Sequence, residues 1–224
     1  MKPLKFLSVI LLASTLSSFS VFAQSKICER LAPRTQAYSK SLAAFEKKVK
    51  TQDFDHLDIG DGRSGIASCF KDSEILLMQD YTVSYGKKFN QWSLLNEVFS
   101  LLPQVKTTVY RGTNALLKEF GFDGVIKPKL KKGQLVTLSR FVSTSVDRSV
   151  AEDLFTDGAL LVVKAKSARD IQSFSQVPKE KEMILVKGTK LRVTSVRHQI
   201  LPAIEIEGQM MPEQNIVVYE LAEE

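Results

Sequence analysis

Three short segments carry residues whose types and spacing could do chemistry together: Val109-Tyr110-Arg111-Gly112-Thr113, Phe141-Val142-Ser143-Thr144-Ser145 and Glu180-Lys181-Glu182. Each sets a polar or charged group at the edge of an apolar, strand-like run. A guanidinium is always charged and presents a planar fork that matches phosphate. A serine hydroxyl can fix the rotamer of a carboxylate. Two carboxylates one residue apart can steady a developing cation and draw a proton from an incoming nucleophile. Together these groups can bind a charged nucleotide and cleave a glycosidic bond. Singly, each has a plainer reading: a surface ion pair for Arg111, strand filler for Ser143-Thr144-Ser145, and a solvated turn for Glu180-Lys181-Glu182.

In order, the segments resemble the Arg-Ser-Glu class of mono-ADP-ribosyltransferases, which includes bacterial exotoxins and animal ecto-enzymes. Other stretches join the match. Asp80-Tyr81-Thr82 followed by Tyr85-Gly86-Lys87-Lys88-Phe89-Asn90 is similar to the family's helical Tyr-Thr … Tyr-x-x-x-Asn stretch. The run from Ser175 through Glu180, Glu182 and Leu185 resembles its target-recognition loop and final glutamate strand, and Gly188-Thr189-Lys190-Leu191-Arg192-Val193 its continuation. The resemblance covers Asp80 to Val196. It implies NAD as co-substrate. Arg111 would hold phosphate and ribose, and the backbone of Gly112 the nicotinamide amide. Ser143 would fix Glu182, Thr144 and Ser145 would support the strand and the ribose contact, and Glu182 would bind the ribose 2′-hydroxyl. Glu180 would face the acceptor, and a Glu at that position goes with arginine as acceptor. An extended Glu180-Lys181-Glu182 would put both carboxylates on one side and Lys181 on the other. One departure concerns the loop aromatic: Val177 stands in its region, with Phe174 nearby. The reading is therefore transfer of ADP-ribose from NAD to arginine side chains of a protein. The alternatives are a secreted NAD glycohydrolase and a non-catalytic binding module of the same fold.

The elements that must position these residues change character along the chain. The first half reads as helical: Tyr38, Leu42, Phe45 and Val49 recur at helical intervals, Ser73 can cap a helix from Glu74 through Met78 that runs toward Tyr81-Thr82, and Phe89, Trp92, Val98 and Phe99 face inward on one that Pro103 stops. The second half reads as short strands, beginning with Lys106 to Tyr110. Thr113 can cap a short helix through Phe120, and Asp147 one bearing Val150, Ala151, Leu154 and Phe155. The apolar run Ala159 to Lys164 suits a central strand buried on both faces. Helices first and many short strands after argue an α+β fold, and the resemblance implies a mixed, largely antiparallel two-sheet core. The expected organisation is a signal peptide over residues 1–23, then one domain over 24–224 with a helical portion (24–104) and a β-rich NAD-binding portion (105–224).

Composition sets the compartment. Lys2 and Lys5, an apolar stretch from Phe6 to Leu16 and Val21-Phe22-Ala23 before Gln24 have the form of a secretory leader, too short to span a bilayer. The expected location is periplasmic or extracellular, with no membrane anchor. The leader carries two lysines and no acid, so its removal takes the formal charge from +6 to +4. That mild basicity, without an aromatic-interleaved basic stripe, gives little support to a nucleic-acid partner. Cys28 and Cys69 are the only cysteines, and in an exported chain an even pair suggests a disulfide, with two buried thiols as the alternative. Two cysteines and two histidines, widely separated, lack metal-ligand spacing, so no metal is expected.

Overall fold

Most helices precede the strands in the computed structural model, an α+β architecture. It describes residues 26–50, 53–54, 65–84, 88–114, 130–155, 158–206 and 209–224. The leader expected over residues 1–23 lies outside them, as do Tyr85 and the helix expected beyond Asn114. The chain divides into two units, residues 1–76 and 77–224.

In the first unit, α1 (Gln36–Glu46) buries Tyr38, Leu42 and Phe45 along one stripe. Thr35 caps it, its side chain accepting from the Tyr38 amide. A 3-10 turn over Gly65–Cys69 follows, and Cys69 is bonded to Cys28. The next helix, α2 (Asp72–Ser84), begins in this unit and continues into the second, and it is buried from Ser73 to Tyr81. Ser73 lies inside this helix rather than capping it, and its hydroxyl donates to Glu46 at 2.7 Å. Glu74 is wholly buried beside it. It takes two bonds from Arg34 at 2.8 Å each, one from the Tyr38 hydroxyl at 2.6 Å and one from the Lys71 amide at 2.7 Å.

The second unit holds α3 (Trp92–Leu101), which buries Leu94, Leu95, Val98 and Phe99. Leu102 leaves the helix with ψ 149°, because the ring of Pro103 excludes its predecessor from helical geometry. Trp92 is 42% exposed instead of pointing inward, although its ring stacks on Phe141. Phe141 also meets Tyr81 and Phe99 edge-on.

The strands are β1 (Gln104–Asn114), β2 (Leu135–Thr137), β3 (Val142–Ser145), β4 (Gly158–Asp170), β5 (Glu182–Leu185), β6 (Lys190–Leu201), β7 (Ile204–Ile206), β8 (Gln209–Met211) and β9 (Gln214–Glu223). Helix α4 (Arg148–Phe155) lies between β3 and β4. Seven strands run in the order β1-β3-β5-β4-β9-β6-β2, and β7 and β8 form a separate hairpin. A further pairing of β1 with β4 closes β1, β3, β5 and β4 into a ring, while β9, β6 and β2 extend from β4 on its other edge. Only β4–β9 is parallel among these pairings.

The apolar run of β4 explains its central place. Leu161 and Val163 join Val109, Met183, Leu185 and Leu191 in the main core. Leu160, alternating to the other face, packs with Ile216, Val218 and Ala151 of α4. Full burial of each large aliphatic side chain contributes about 1.5–3 kcal/mol. β1 runs through Asn114, so Thr113 belongs to the strand instead of capping a helix.

Candidate active site

The ring of strands meets itself where the sequence motifs lie. β1 and β3 touch at one pairing, Tyr110 opposite Ser145, and Ser145 in turn stands opposite Glu182 on β5. This brings the arginine, serine and glutamate segments to one spot. Tyr110, Arg111, Gly112, Ser143, Thr144, Ser145, Ala151, Glu180 and Glu182 line a single cavity with an empty volume of about 230 Å³. All seven residues singled out for catalysis or NAD binding are among them.

Each hydroxyl of the Ser-Thr-Ser strand has a separate task. Ser143 Oγ donates to Glu182 Oε1 at 2.5 Å. Thr144 Oγ1 donates to the Met183 carbonyl at 2.8 Å and stitches β3 to β5. Ser145 Oγ accepts from the Asp147 amide at 2.9 Å. Asp147 begins α4 as expected, with Oδ1 accepting from the Ser149 amide at 3.1 Å.

Glu182 is 4% exposed, and its Oε2 is buried with no hydrogen-bond partner. A carboxylate in this state is costly, because burial penalises the charged form. Burial, reinforced by the neighbouring Glu180, pushes the Glu182 carboxyl up to about 7 against the opposing pull of Ser143 and Arg111. Burial also raises Glu180, again opposed by Arg111. The guanidinium thus acts electrostatically on both acids.

The two glutamates do not converge through an extended strand. Pro178–Glu180 is a 3-10 turn, Lys181 is left-handed at φ 47° and ψ 51°, and β5 begins at Glu182. The reversal at Lys181 leaves both carboxylates on the same cavity, while Lys181 itself reaches away to Asp147 at 2.7 Å. Phe174 is buried in the core, so the exposed Val177 stands in the loop region without an aromatic from that residue. Tyr81 packs among aromatics, and Thr82 Oγ1 accepts from the Gln176 amide at 3.2 Å, tying α2 to the start of the glutamate loop. Tyr110 and Ala151 also line the cavity. Their only sequence signals were adjacency to Arg111 and the apolar stripe of α4.

A second cavity, with an empty volume of about 890 Å³ including its open mouth, is lined by residues that include Trp92, Asn96, Arg140, Phe141 and Lys187. Among the described residues no cluster of His, Cys, Asp and Glu could hold a metal. No helix among them is long and apolar enough to cross a membrane.

Several known proteins are similar to this chain. A Mycobacterium avium protein, Mav, named for NAD(+)–arginine ADP-ribosyltransferase activity, is 29% identical over 102 residues, which make up 45% of this chain and 12% of that protein. The present chain thus spans only a small part of that relative's length. Among solved structures, the type III effector XopAI from Xanthomonas axonopodis pv. citri superposes with a TM-score of 0.50 at 11% identity, covering 100% of this chain and 95% of that one. Exoenzyme S from Pseudomonas aeruginosa, solved with carba-NAD and human 14-3-3 protein beta, gives 0.46 at 18% identity over 90% and 88% of the two chains. The family model described as NAD:arginine ADP-ribosyltransferase matches residues 77–204, which include the whole cavity lining, and the chain belongs to that family.

Proposed function

We propose that this chain is an exported mono-ADP-ribosyltransferase that moves ADP-ribose from NAD to arginine side chains of a protein. One observation carries the reading: a buried glutamate with one oxygen held by Ser143 and the other unpaired, in a cavity shared with Arg111 and Glu180. NAD presents a cationic nicotinamide riboside and an anionic pyrophosphate. The unpaired oxygen suits a ribose hydroxyl donor, and the guanidinium suits a phosphate.

The bond between the ribose anomeric carbon and nicotinamide breaks with its electron pair leaving on nicotinamide. Nicotinamide departs neutral, so no general acid is required there. The ribosyl fragment that remains is oxocarbenium-like, as in other glycosidic cleavages. Ionised Glu182 steadies this charge and orients the ring by accepting from the 2′-hydroxyl. Gly112 offers its backbone to the nicotinamide amide. A guanidino nitrogen of the acceptor then bonds to the anomeric carbon, and Glu180 takes the proton it sheds.

The Cys28–Cys69 disulfide supports passage through an oxidising compartment, in keeping with the leader read over residues 1–23.

The test is NAD labelled in its adenosine portion, incubated with the purified chain and either agmatine or a protein mixture. Labelled agmatine and labelled protein arginines are expected, lost on Glu182→Ala. Labelling that survives Glu182→Ala sinks the assignment of Glu182. Nicotinamide release that agmatine leaves unchanged, with no labelled product, replaces transfer by hydrolysis. Modification mapped to residues other than arginine overturns the acceptor class.

A further inference from the structure

Between the two carboxylates lies a charge pair that the chemistry above does not use. Lys181 sits in the left-handed region at φ 47°, which a residue with a Cβ seldom adopts. Two contacts on one neighbouring segment hold it there. Its carbonyl accepts from the Val146 amide at 3.2 Å, and its ammonium meets Asp147 Oδ2 at 2.7 Å. Asp147 is itself fixed. Its amide donates to Ser145 Oγ, and its other carboxylate oxygen accepts from the amide and the hydroxyl of Ser149. The hydrogen bonds from Lys181 and Ser149 hold the Asp147 carboxyl down at about 2, so it stays charged at any working pH.

Glu182 does not depend on this pair. It lies in the β3–β5 ladder, its carbonyl accepts from the Ile171 amide at 3.3 Å, and Ser143 holds its side chain. Glu180 belongs to the turn instead, its amide bonded only within that turn to the Val177 carbonyl at 3.0 Å. The residue joining turn to strand is Lys181. As a half-exposed ion pair, Lys181–Asp147 adds little to stability. Its effect is geometric, and small displacements of a reacting group cost much in rate.

We propose that Lys181 and Asp147 form a latch that holds Glu180 over the catalytic cavity and so determines how much of the cleaved dinucleotide passes to a guanidino acceptor and how much to water. Both are positioning residues, and the proposal rests on the arginine-transferase reading above. Lys181→Asn removes the ammonium while keeping a residue tolerant of left-handed backbone. Asp147→Asn removes the charge while keeping an acceptor for Ser149.

The experiment compares these variants and their double with wild type, using full-length mature chain, NAD and agmatine. Each single variant is expected to lose about tenfold in agmatine labelling, while nicotinamide release without acceptor stays within about twofold. The double variant should lose no more than either single one, because one contact is being removed. Labelling at the wild-type level overturns the latch, and so does an equal loss of labelling and nicotinamide release. Amide hydrogen exchange over residues 177–181 supplies a readout independent of turnover. Faster exchange at Glu180 and Lys181 in either variant supports the latch, and unchanged exchange overturns it. If wild type cleaves NAD but never labels agmatine, the acceptor reading has failed and the exchange result decides the latch alone.

Discussion

Glu74 and Glu182 are both removed from solvent, at 0% and 4% exposure, yet their surroundings push them in opposite directions. Glu74 takes Arg34, Tyr38 and the Lys71 amide on its two oxygens. These partners outweigh burial and hold its carboxyl below the ordinary range. Glu182 has one hydroxyl on one oxygen, and burial prevails, raising it to about 7. The first residue is satisfied and serves the fold. The second is left short of partners beside a cavity, a condition that serves only something that enters. Incomplete satisfaction of a buried acid is a better marker of a working site than burial or charge alone.

The largest expected effect is at Glu182. Glu182→Gln should cut NAD cleavage on the order of a thousandfold, measured as nicotinamide release. The same change should stabilise the empty protein in alkali. A carboxyl raised in the folded state favours folding below its unfolded value near 4.5, and that contribution is lost as pH rises through about 7. Thermal or urea unfolding at pH 8 should therefore show the variant more stable than wild type by about 3 kcal/mol, with the difference gone at pH 4. Wild-type cleavage should rise with pH through the same window, as Glu182 ionises.

Glu74→Gln should do the reverse, costing about 3 kcal/mol at neutral pH by leaving Arg34 without its charged partner. The sign again follows from the direction. A lowered carboxyl contributes stability above its unfolded value and loses it as pH falls through the folded one, so the penalty should shrink in acid. If the two substitutions moved stability the same way at pH 8, the contrast between the sites would be broken.

Smaller changes sharpen it. Ser143→Ala removes the one hydrogen bond that lowers Glu182, so the pH–rate profile should move to higher pH while cleavage at pH 7 falls about tenfold. Tyr38→Phe removes one of several partners of Glu74 and should cost about 1 kcal/mol in urea unfolding, with no displacement of the pH–rate profile.

Much of this arrangement is legible from residue types. Strand motifs carrying Arg111, Ser143 and Glu182 converge because short apolar runs must pair somewhere, and the motifs sit on their ends. The Asp147 cap, the central place of Ala159 to Lys164 and the Cys28–Cys69 bond follow from local chemistry and cysteine parity. Other features depend on tertiary context that no local pattern encodes. Lys181 carries no glycine signal for its left-handed turn; contacts from Val146 and Asp147, distant in sequence, impose it. Trp92 begins α3 at its exposed end, where a neighbouring Phe141 ring decides its fate more than helical periodicity does. Ser73 reads as a cap, but Lys71 and Glu74 together set the start of that helix. The unpaired oxygen of Glu182 is invisible to any motif, since it is a property of what does not surround it.

The strand over residues 214–223 comes latest of the nine among the described residues, yet it lies between β4 and β6 and supplies the parallel pairing. A nascent polypeptide can thus have synthesised every motif of the cavity and still lack the rib that backs the strand behind Arg111. Because β9 follows both of its partners in the sequence yet pairs with each, the sheet cannot close in the order in which its strands leave the ribosome.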